Sequence, residues 1–453
     1  MSDAPQNRKL GLFSATAAVI AAMIGAGIWG TTGGFAYKLG SDFAVLLVWL
    51  FCGLLALTGA LSLGELGGMM PRAGGCYTFI RKIYGPTAGY LTGVLSSLLA
   101  FVGAMAFIAM LLGIYVQTFV PSAPPPLVAC IAVMVFSAIH CAGLREGTWV
   151  NNAFTVFKVL VIIAFIVAGL SADGRPVQIQ INEAPVFTTV FAAAMVSASF
   201  AYLGWETTTF IGGEVKNPGR VLPWSLVIGT AIVIILYLLI NLVYLHAQAS
   251  SDMFVLGEDG QKTGIRVIGP YVSEKLFGEN MVRWFNSMVI VVLLSTVSTI
   301  TMVGGRVLYA MAKAGQLPST VAKLNKNDVP ANALLIQGTI TVIFILAANN
   351  LGTLSDVLDY IGLPLTIIMG ATVAGVFILR HREPSTNRPF RVPLYPLPPI
   401  LFIALALWMT ISVAMENWKV AIASTLTVLV IWVLKPLLAK GGTSSTSSES
   451  ENQ

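Results

Sequence analysis

The sequence predicts an all-α polytopic membrane protein, and three observations carry that prediction. Of 453 residues, 56% are hydrophobic and only 10% charged, whereas about a quarter of a soluble globular chain is charged. The mean hydropathy is +0.82, which leaves too few polar side chains to cover a water-facing surface. Apolar runs of about 17–25 residues are long enough to cross a bilayer as helices, and twelve can be read along the chain. They lie at 11–37, 43–68, 86–119, 125–143, 148–170, 187–213, 222–247, 281–311, 331–349, 355–379, 394–414 and 418–438. A β-barrel would show alternating polarity over about ten residues per strand, and no such pattern is present.

The stretches between these runs supply orientation and punctuation. With both termini placed in the cytoplasm, 18 of the 26 Lys and Arg fall on the inner side and 7 on the outer, Lys158 being set aside. That bias satisfies the positive-inside rule and implies a multi-pass protein of the cell membrane. The basic pI therefore reflects topology, since nucleic-acid binding needs its charges on one exposed face. "MMPRAGG", "EVKNPGR", "AGQLPS" and "NRPFRVPLYP" place Pro and Gly where helices leave the lipid. Residues 1–9 and the tail "GGTSSTSSESENQ", within 439–453, read as polar, disordered cytoplasmic ends. The longest connection, 248–280, contains "IRVIGPYVSEKLFG", an expected amphipathic helix over the outer mouth. Cys52, Cys76, Cys130 and Cys141 form no CxxC pair and read as small packing residues. His140, His246 and His381 are too scattered for a metal site. No metal and no cofactor are expected.

"MIGAGIWGTTGG" (residues 23–34) carries Gly25, Gly27 and Gly30 in the spacing of a dinucleotide-binding turn. Such a turn needs a buried strand before it and an acid about twenty residues on. Here the flanks are membrane helix and residues 44–51 read "AVLLVWLF", so that reading fails. Close helix packing through Gly30 and Gly34 is a second explanation. Five glycines in one segment, however, weaken a helix by about 1 kcal/mol each relative to Ala, which points to a deliberate break. The run "SASFAYLGWETTTFIGG" (197–213) supplies a counterpart, with Gly204 in mid-span. The two interrupted helices are the first and the sixth, and an odd separation of five spans inverts the second copy. Corresponding broken helices in inverted halves mark a transporter site at the midplane. The expected organisation is a first repeat over 10–171, a second over 187–379 and two further helices over 394–438.

A break of this kind selects its ligand. Where the first helix resumes, near Gly27 to Trp29, free N–H groups and the positive dipole end favour a carboxylate. Where the sixth stops, near Phe200 to Leu203, unsatisfied carbonyls favour an ammonium. An α-amino acid carries both charges.

These residues resemble the amino acid–polyamine–organocation transporters, and within them the L-type amino acid transporter group. "MIGAGIWG" is similar to that family's first-helix motif, and "GELGGMMPRAGGCYTFIRKIYGPTAGYLTG" (64–93) to its signature after helix two. "FAYLGWETTTFIGGEVKNPGRVLP", "RVLYAMAKAGQLP" and "FILRHREPSTNRPFRVPLYPLPPI" resemble helix six and the ends of helices eight and ten. The resemblance runs over nearly the whole chain and implies the LeuT-like fold of five plus five inverted helices with two extra. It implies that Ile24, Gly25, Ala26 and Gly27 hold the substrate carboxylate. The carbonyls of Phe200, Ala201 and Leu203 would hold its amine, with the Phe200 ring as a gate. Ala26 stands where the family often has Ser, which removes a hydroxyl donor.

Charges at membrane depth are the remaining signal. Lys158 lies about ten residues into helix five, roughly 15 Å deep, where a lysine faces a cavity or a partner. It reads either as a structural cation on broken carbonyls of helix one or, as many sodium-independent relatives suggest, as a replacement for bound sodium able to couple to protons. Glu206 reads as a cap of the resumed half-helix or as a proton carrier. Glu65 reads as structural, paired with a basic loop residue. Trp29, Tyr202 and Trp205 border the breaks and read as packing or cavity-lining aromatics. Helices three and eight carry no charge to meet a charged substrate side chain, so a neutral amino acid is expected, with Ser298 and Thr299 as polar contacts. No H-E-x-x-H, G-x-S-x-G or metal cluster argues for an enzyme. The expected function is secondary active transport of neutral L-amino acids, by sodium-independent exchange or, as the alternative, proton symport through Lys158 and Glu206. A membrane enzyme and a channel are the weaker rivals. The partners implied are a small-molecule amino acid and membrane lipid; no nucleic acid and no obligatory protein partner are readable.

Overall fold

The computed structural model describes residues 8–25, 27–180, 184–256, 261–265, 267–348, 354–416 and 418–439. The disorder expected of residues 1–7 and 440–453 lies outside them. The chain runs as helices α1 (Leu12–Met23), α2 (Gly27–Leu39), α3 (Asp42–Met69), α4 (Cys76–Tyr84), α5 (Pro86–Gln117), α6 (Pro125–Ala142), α7 (Leu144–Ser171) and α8 (Thr189–Tyr202). After these come α9 (Thr207–Phe210), α10 (Pro218–Ala247), α11 (Ile268–Phe277), α12 (Glu279–Lys313), α13 (Ala331–Ala348), α14 (Leu354–Arg382), α15 (Leu397–Glu416) and α16 (Trp418–Ala439). Among the described residues, seven helices are long and apolar enough to cross a membrane, and the bent pair α1–α2 makes eight. Four shorter apolar helices lie within α8, α13, α15 and α16. The fold is that of a polytopic membrane protein, and a count of twelve spans rests on those four shorter helices.

Local chemistry fixes the ends. The Ser41 hydroxyl accepts from the Ala44 amide at 3.3 Å and starts α3, and Thr188 does the same for Phe191 at 3.2 Å and starts α8. Pro86 opens α5 after Gly85, whose φ of 96° only glycine adopts easily. Helix α4 was not foreseen: Cys76, Phe79, Ile80 and Ile83 are buried on one face, while Arg81 and Lys82 stay outside. Residues Ser96–Gly103 of α5 are wound as π-helix. In the 248–280 connection, Phe254–Leu256 and Lys262–Gly264 pair as an antiparallel hairpin, and α11 forms with Ile268, Gly269, Val272 and Ser273 buried.

Buried ion pairs tie the two ends of the molecule. Glu65, 1% exposed, accepts two hydrogen bonds from Arg380 at 2.9 and 2.6 Å and one from the Val392 amide at 2.8 Å. Arg388, in the loop after α14, pairs with it at 3.3 Å. At the opposite end Asp42 takes the Arg175 guanidinium at 2.6 Å and the amides of Gln178 and Ser250 at 3.1 and 3.0 Å.

Candidate functional site

Both glycine-marked helices are interrupted. Helix α1 ends at Met23 and α2 begins at Gly27, the two meeting at 41°. Ala26 lies outside the described residues. The end of α1 leaves carbonyls without intrahelical partners, and specific side chains meet them. The Lys158 ammonium, fully buried on α7, donates to Ala21 O at 3.0 Å, Ile24 O at 2.8 Å and Thr296 Oγ1 at 3.1 Å. Thr296 itself donates to Ile24 O at 2.9 Å. The Tyr237 hydroxyl is bonded to Met23 O at 2.7 Å. On the other side of the break, the amides of Gly25 and Gly27 have no protein acceptor among the described residues.

Helix α8 stops at Tyr202. Leu203 is extended, with φ −54° and ψ 141°, and Gly204 has φ +107°. A Cβ on Gly204 would stand 2.8 Å from the Ala22 carbonyl carbon, so position 204 needs glycine for conformation and for space. The chain resumes as the single turn α9, followed by a 3-10 turn at Gly212–Glu214. Phe200 O accepts the Leu203 amide at 3.2 Å, and Tyr237, already on Met23, also reaches Ala201 O at 2.9 Å. Each of these carbonyls keeps a second lone pair.

The two breaks face each other. A Cβ on Gly27 would lie 2.5 Å from Ala201 Cα. Close glycine contacts of α2 include Gly27 on Ala201 and Gly33 on Ile265, and a Cβ on Gly264 would stand 2.7 Å from Gly34 Cα. Between the breaks lies a cavity of about 60 Å³. Its walls are Ala22, Met23, Gly25 and Gly27 from the first break, and Phe200, Ala201, Leu203, Gly204, Glu206, Thr207 and Phe210 from the second. Ala100, Phe101, Ala104 and Ile108 of α5 complete it with Thr299, Ile300 and Val303 of α12. The π-helical turn thus abuts the cavity, a usual place for such turns. Phe200 packs edge-on against Phe107 at 5.2 Å, and Phe101 against Phe210 at 5.1 Å.

The residues singled out from sequence separate into two groups. Gly25, Gly27, Phe200, Ala201, Leu203, Glu206 and Thr299 line the cavity. Ile24 offers its carbonyl to Lys158 and Thr296, and neither it nor Lys158 is in the wall. Trp29 packs edge-on against Phe165 and Phe285, Tyr202 bonds Trp49 O at 3.0 Å, and Trp205 packs against Phe402. These three aromatics fill the interior away from the cavity. Ser298 is turned to His140, with its hydroxyl 2.9 Å from Nε2. Glu206 occupies the position before α9 but makes no capping bond through its side chain, which corrects the expectation of a cap. Its Oε2 has no partner among the described residues.

Below the cavity, toward the Glu65 end, the molecule is strapped shut. Arg306 of α12 holds Glu214 through two bonds, at 2.7 and 3.2 Å. Glu214 O accepts the amides of Lys9 and Leu10 at 2.9 and 3.0 Å, and Leu10 O accepts from Lys216 at 2.8 Å. Sequence reasoning missed this strap, as it missed Tyr237 and Thr296. Tyr237, Asn241 and Tyr244 stand at i, i+4 and i+7 of α10, all fully buried, and that stripe was a readable signal.

Paired helix breaks at membrane depth, with bare amides on one side and carbonyls on the other, define a membrane transporter of small molecules. The amino acid permease family model matches residues 10–434, and the chain belongs to that family, within the amino acid–polyamine–organocation superfamily. It is 29% identical over 411 residues to the serine/threonine exchanger SteT of Bacillus subtilis (strain 168), covering 88% of this chain and 89% of that protein. It is 28% identical to the human large neutral amino acids transporter small subunit 2, over 88% and 75% of the two chains. With the mouse b(0,+)-type amino acid transporter 1 it shares 26% identity over 89% and 82%. The chain is an amino acid transporter, and its family and relatives are transporters rather than enzymes.

Proposed function

We propose that the chain moves neutral L-amino acids across the cell membrane by alternating access, as a sodium-independent exchanger. The observation that carries this reading is the Lys158 ammonium seated on Ala21 O, Ile24 O and Thr296 Oγ1. A fixed cation already satisfies the broken end of α1, which is the work a bound sodium ion would do there. The free amides of Gly25 and Gly27, together with that of Ala26, receive the substrate carboxylate. The spare lone pairs of Phe200, Ala201 and Leu203 receive its amine, and the Phe200 ring closes over it. The two breaks belong to inverted repeats over 10–171 and 187–379, with 394–438 outside them and both termini in the cytoplasm. Proton symport is the second reading, favoured by the partnerless oxygen of Glu206.

Proteoliposomes loaded with labelled amino acid separate these mechanisms. An exchanger releases label only when amino acid is supplied outside, whatever the sodium or pH gradient. Accumulation driven by a pH gradient alone supports symport and refutes exchange.

A further inference from the structure

We propose that Glu206 reads the substrate's side chain, so that the cavity favours small α-amino acids whose side chain donates a hydrogen bond, a short hydroxyl above all. This deepens the transport reading and rests on it. Glu206 is 5% exposed, lines the cavity and leaves Oε2 without a partner among the described residues. The basic groups nearest in role are already engaged: Lys158 with the α1 carbonyls, and Arg306 with Glu214. No basic side chain is among the cavity's described walls. The surrounding wall is mainly apolar, with Phe101, Phe210, Ile300 and Val303 beside the Thr207 hydroxyl, and the one α12 hydroxyl there, Thr299, donates to Asn151 Oδ1 at 2.6 Å.

A carboxyl oxygen left bare in an apolar pocket is costly, whether the group is charged or neutral. A substrate that brings a donor removes that cost, and an apolar isostere leaves it in place. The penalty therefore falls on the wrong substrate. The expectation of a neutral substrate came from the absence of charge between Lys82 and Arg145 and between Arg283 and Arg306, but the acidic group comes instead from beyond the α8 break. Size decides between donors. A cavity of about 60 Å³ holds about four to six water-sized groups, the scale of a three-carbon amino acid and short of a lysine or arginine chain. The edge-on Phe101–Phe210 pair forms part of the wall of that small cavity.

The test is competition by L-serine against L-alanine, and L-threonine against L-valine, on the full chain in proteoliposomes. The wild type is expected to favour the hydroxyl member of each pair by about tenfold or more, the worth of one hydrogen bond to a carboxylate. Glu206→Leu brings both ratios to within about twofold of unity, while Glu206→Gln, which keeps an acceptor oxygen, retains a preference above about threefold. Wild-type ratios near one, ratios unchanged in Glu206→Leu, or L-arginine outcompeting L-serine would each overturn the proposal. Should Glu206→Leu fail to fold, the wild-type ratios and the Gln variant still decide. If no neutral L-amino acid, small or large, competes in the wild type, the transport reading fails as well.

Discussion

Replacing Lys158 by methionine removes the ammonium and nearly keeps the volume. Three oxygens meet that ammonium, but they do not lose equally. Ile24 O stays 2.9 Å from the Thr296 hydroxyl, whose single proton it shares with Val292 O at 3.0 Å. Ala21 O is the group left bare, because among the described residues its one partner beyond the helix is Lys158. An orphaned buried carbonyl costs about 1–3 kcal/mol, offset in part because a buried cation no longer has to be desolvated. Stability is therefore expected to fall by no more than about 2 kcal/mol, leaving the protein folded. Transport should fall much further, since a shift of about 1 Å in the break displaces the amides of Gly25 and Gly27 and costs on the order of 100-fold. Detergent-solubilised thermal unfolding and exchange rates in proteoliposomes give the two numbers. Wild-type transport in a folded Lys158→Met protein would refute the claim that the ammonium sets the geometry of the break.

Three other substitutions test separate parts of the structure. Gly27→Leu drives a side chain into Ala201, whose Cα is only 2.5 Å from the position of a Cβ; substrate binding should be abolished while membrane insertion persists, and unchanged uptake would reject the carboxylate site. Tyr237→Phe strips one hydroxyl from both Met23 O and Ala201 O and should cost about 1–3 kcal/mol, read as a lower unfolding temperature together with slower exchange. Glu65→Gln leaves Arg380 and Arg388 without their counter-charge; loss of about 3–5 kcal/mol is expected, and a wild-type unfolding temperature would contradict it.

The parts of this fold legible in sequence are those where composition alone is decisive. Apolar length marks the spans, and glycine crowding at 25–34 and 204 marks the breaks because so many weak helix formers exceed what close packing alone requires. The partner of Glu65 was legible because a carboxylate at an inner helix end meets basic loops, although one of its two arginines sits on α14. What sequence did not carry is rotation about the helix axis. Trp29, Tyr202 and Trp205 border the breaks but point away from the cavity, and Ser298 and Thr299, adjacent in sequence, face His140 and the cavity respectively. One residue is about 100° of turn, and uniformly apolar helices give no polar face from which to set the phase. The strap through Glu214 and Arg306 joins residues far apart in the chain, which no local pattern encodes.

The arrangement of ties also indicates which parts must separate if the cavity is to open. Tyr237 holds the ends of α1 and α8 together from α10, and the Gly27–Ala201 and Gly204–Ala22 contacts leave no space between the two breaks. Helices α3 and α10 pack along each other, and α1 packs on α10. The facing wall, α5 with α6, α12 and α13, packs chiefly within itself. Among the described residues, the polar links from that wall to the broken helices and the turn after α9 are Thr296 to Ile24, with Lys158 of α7 bridging the same two groups, and Arg306 to Glu214. The first link sits at the end of α1 and the second beside the turn after α9. An opening that parts α12 from that turn is expected to break the Arg306–Glu214 pair. On the binding mode proposed above, the substrate's charged ends would meet the two breaks and its side chain alone would meet the wall. Discrimination would then fall on the α5–α12 wall and at Glu206, with the zwitterion contacts common to every amino acid carried.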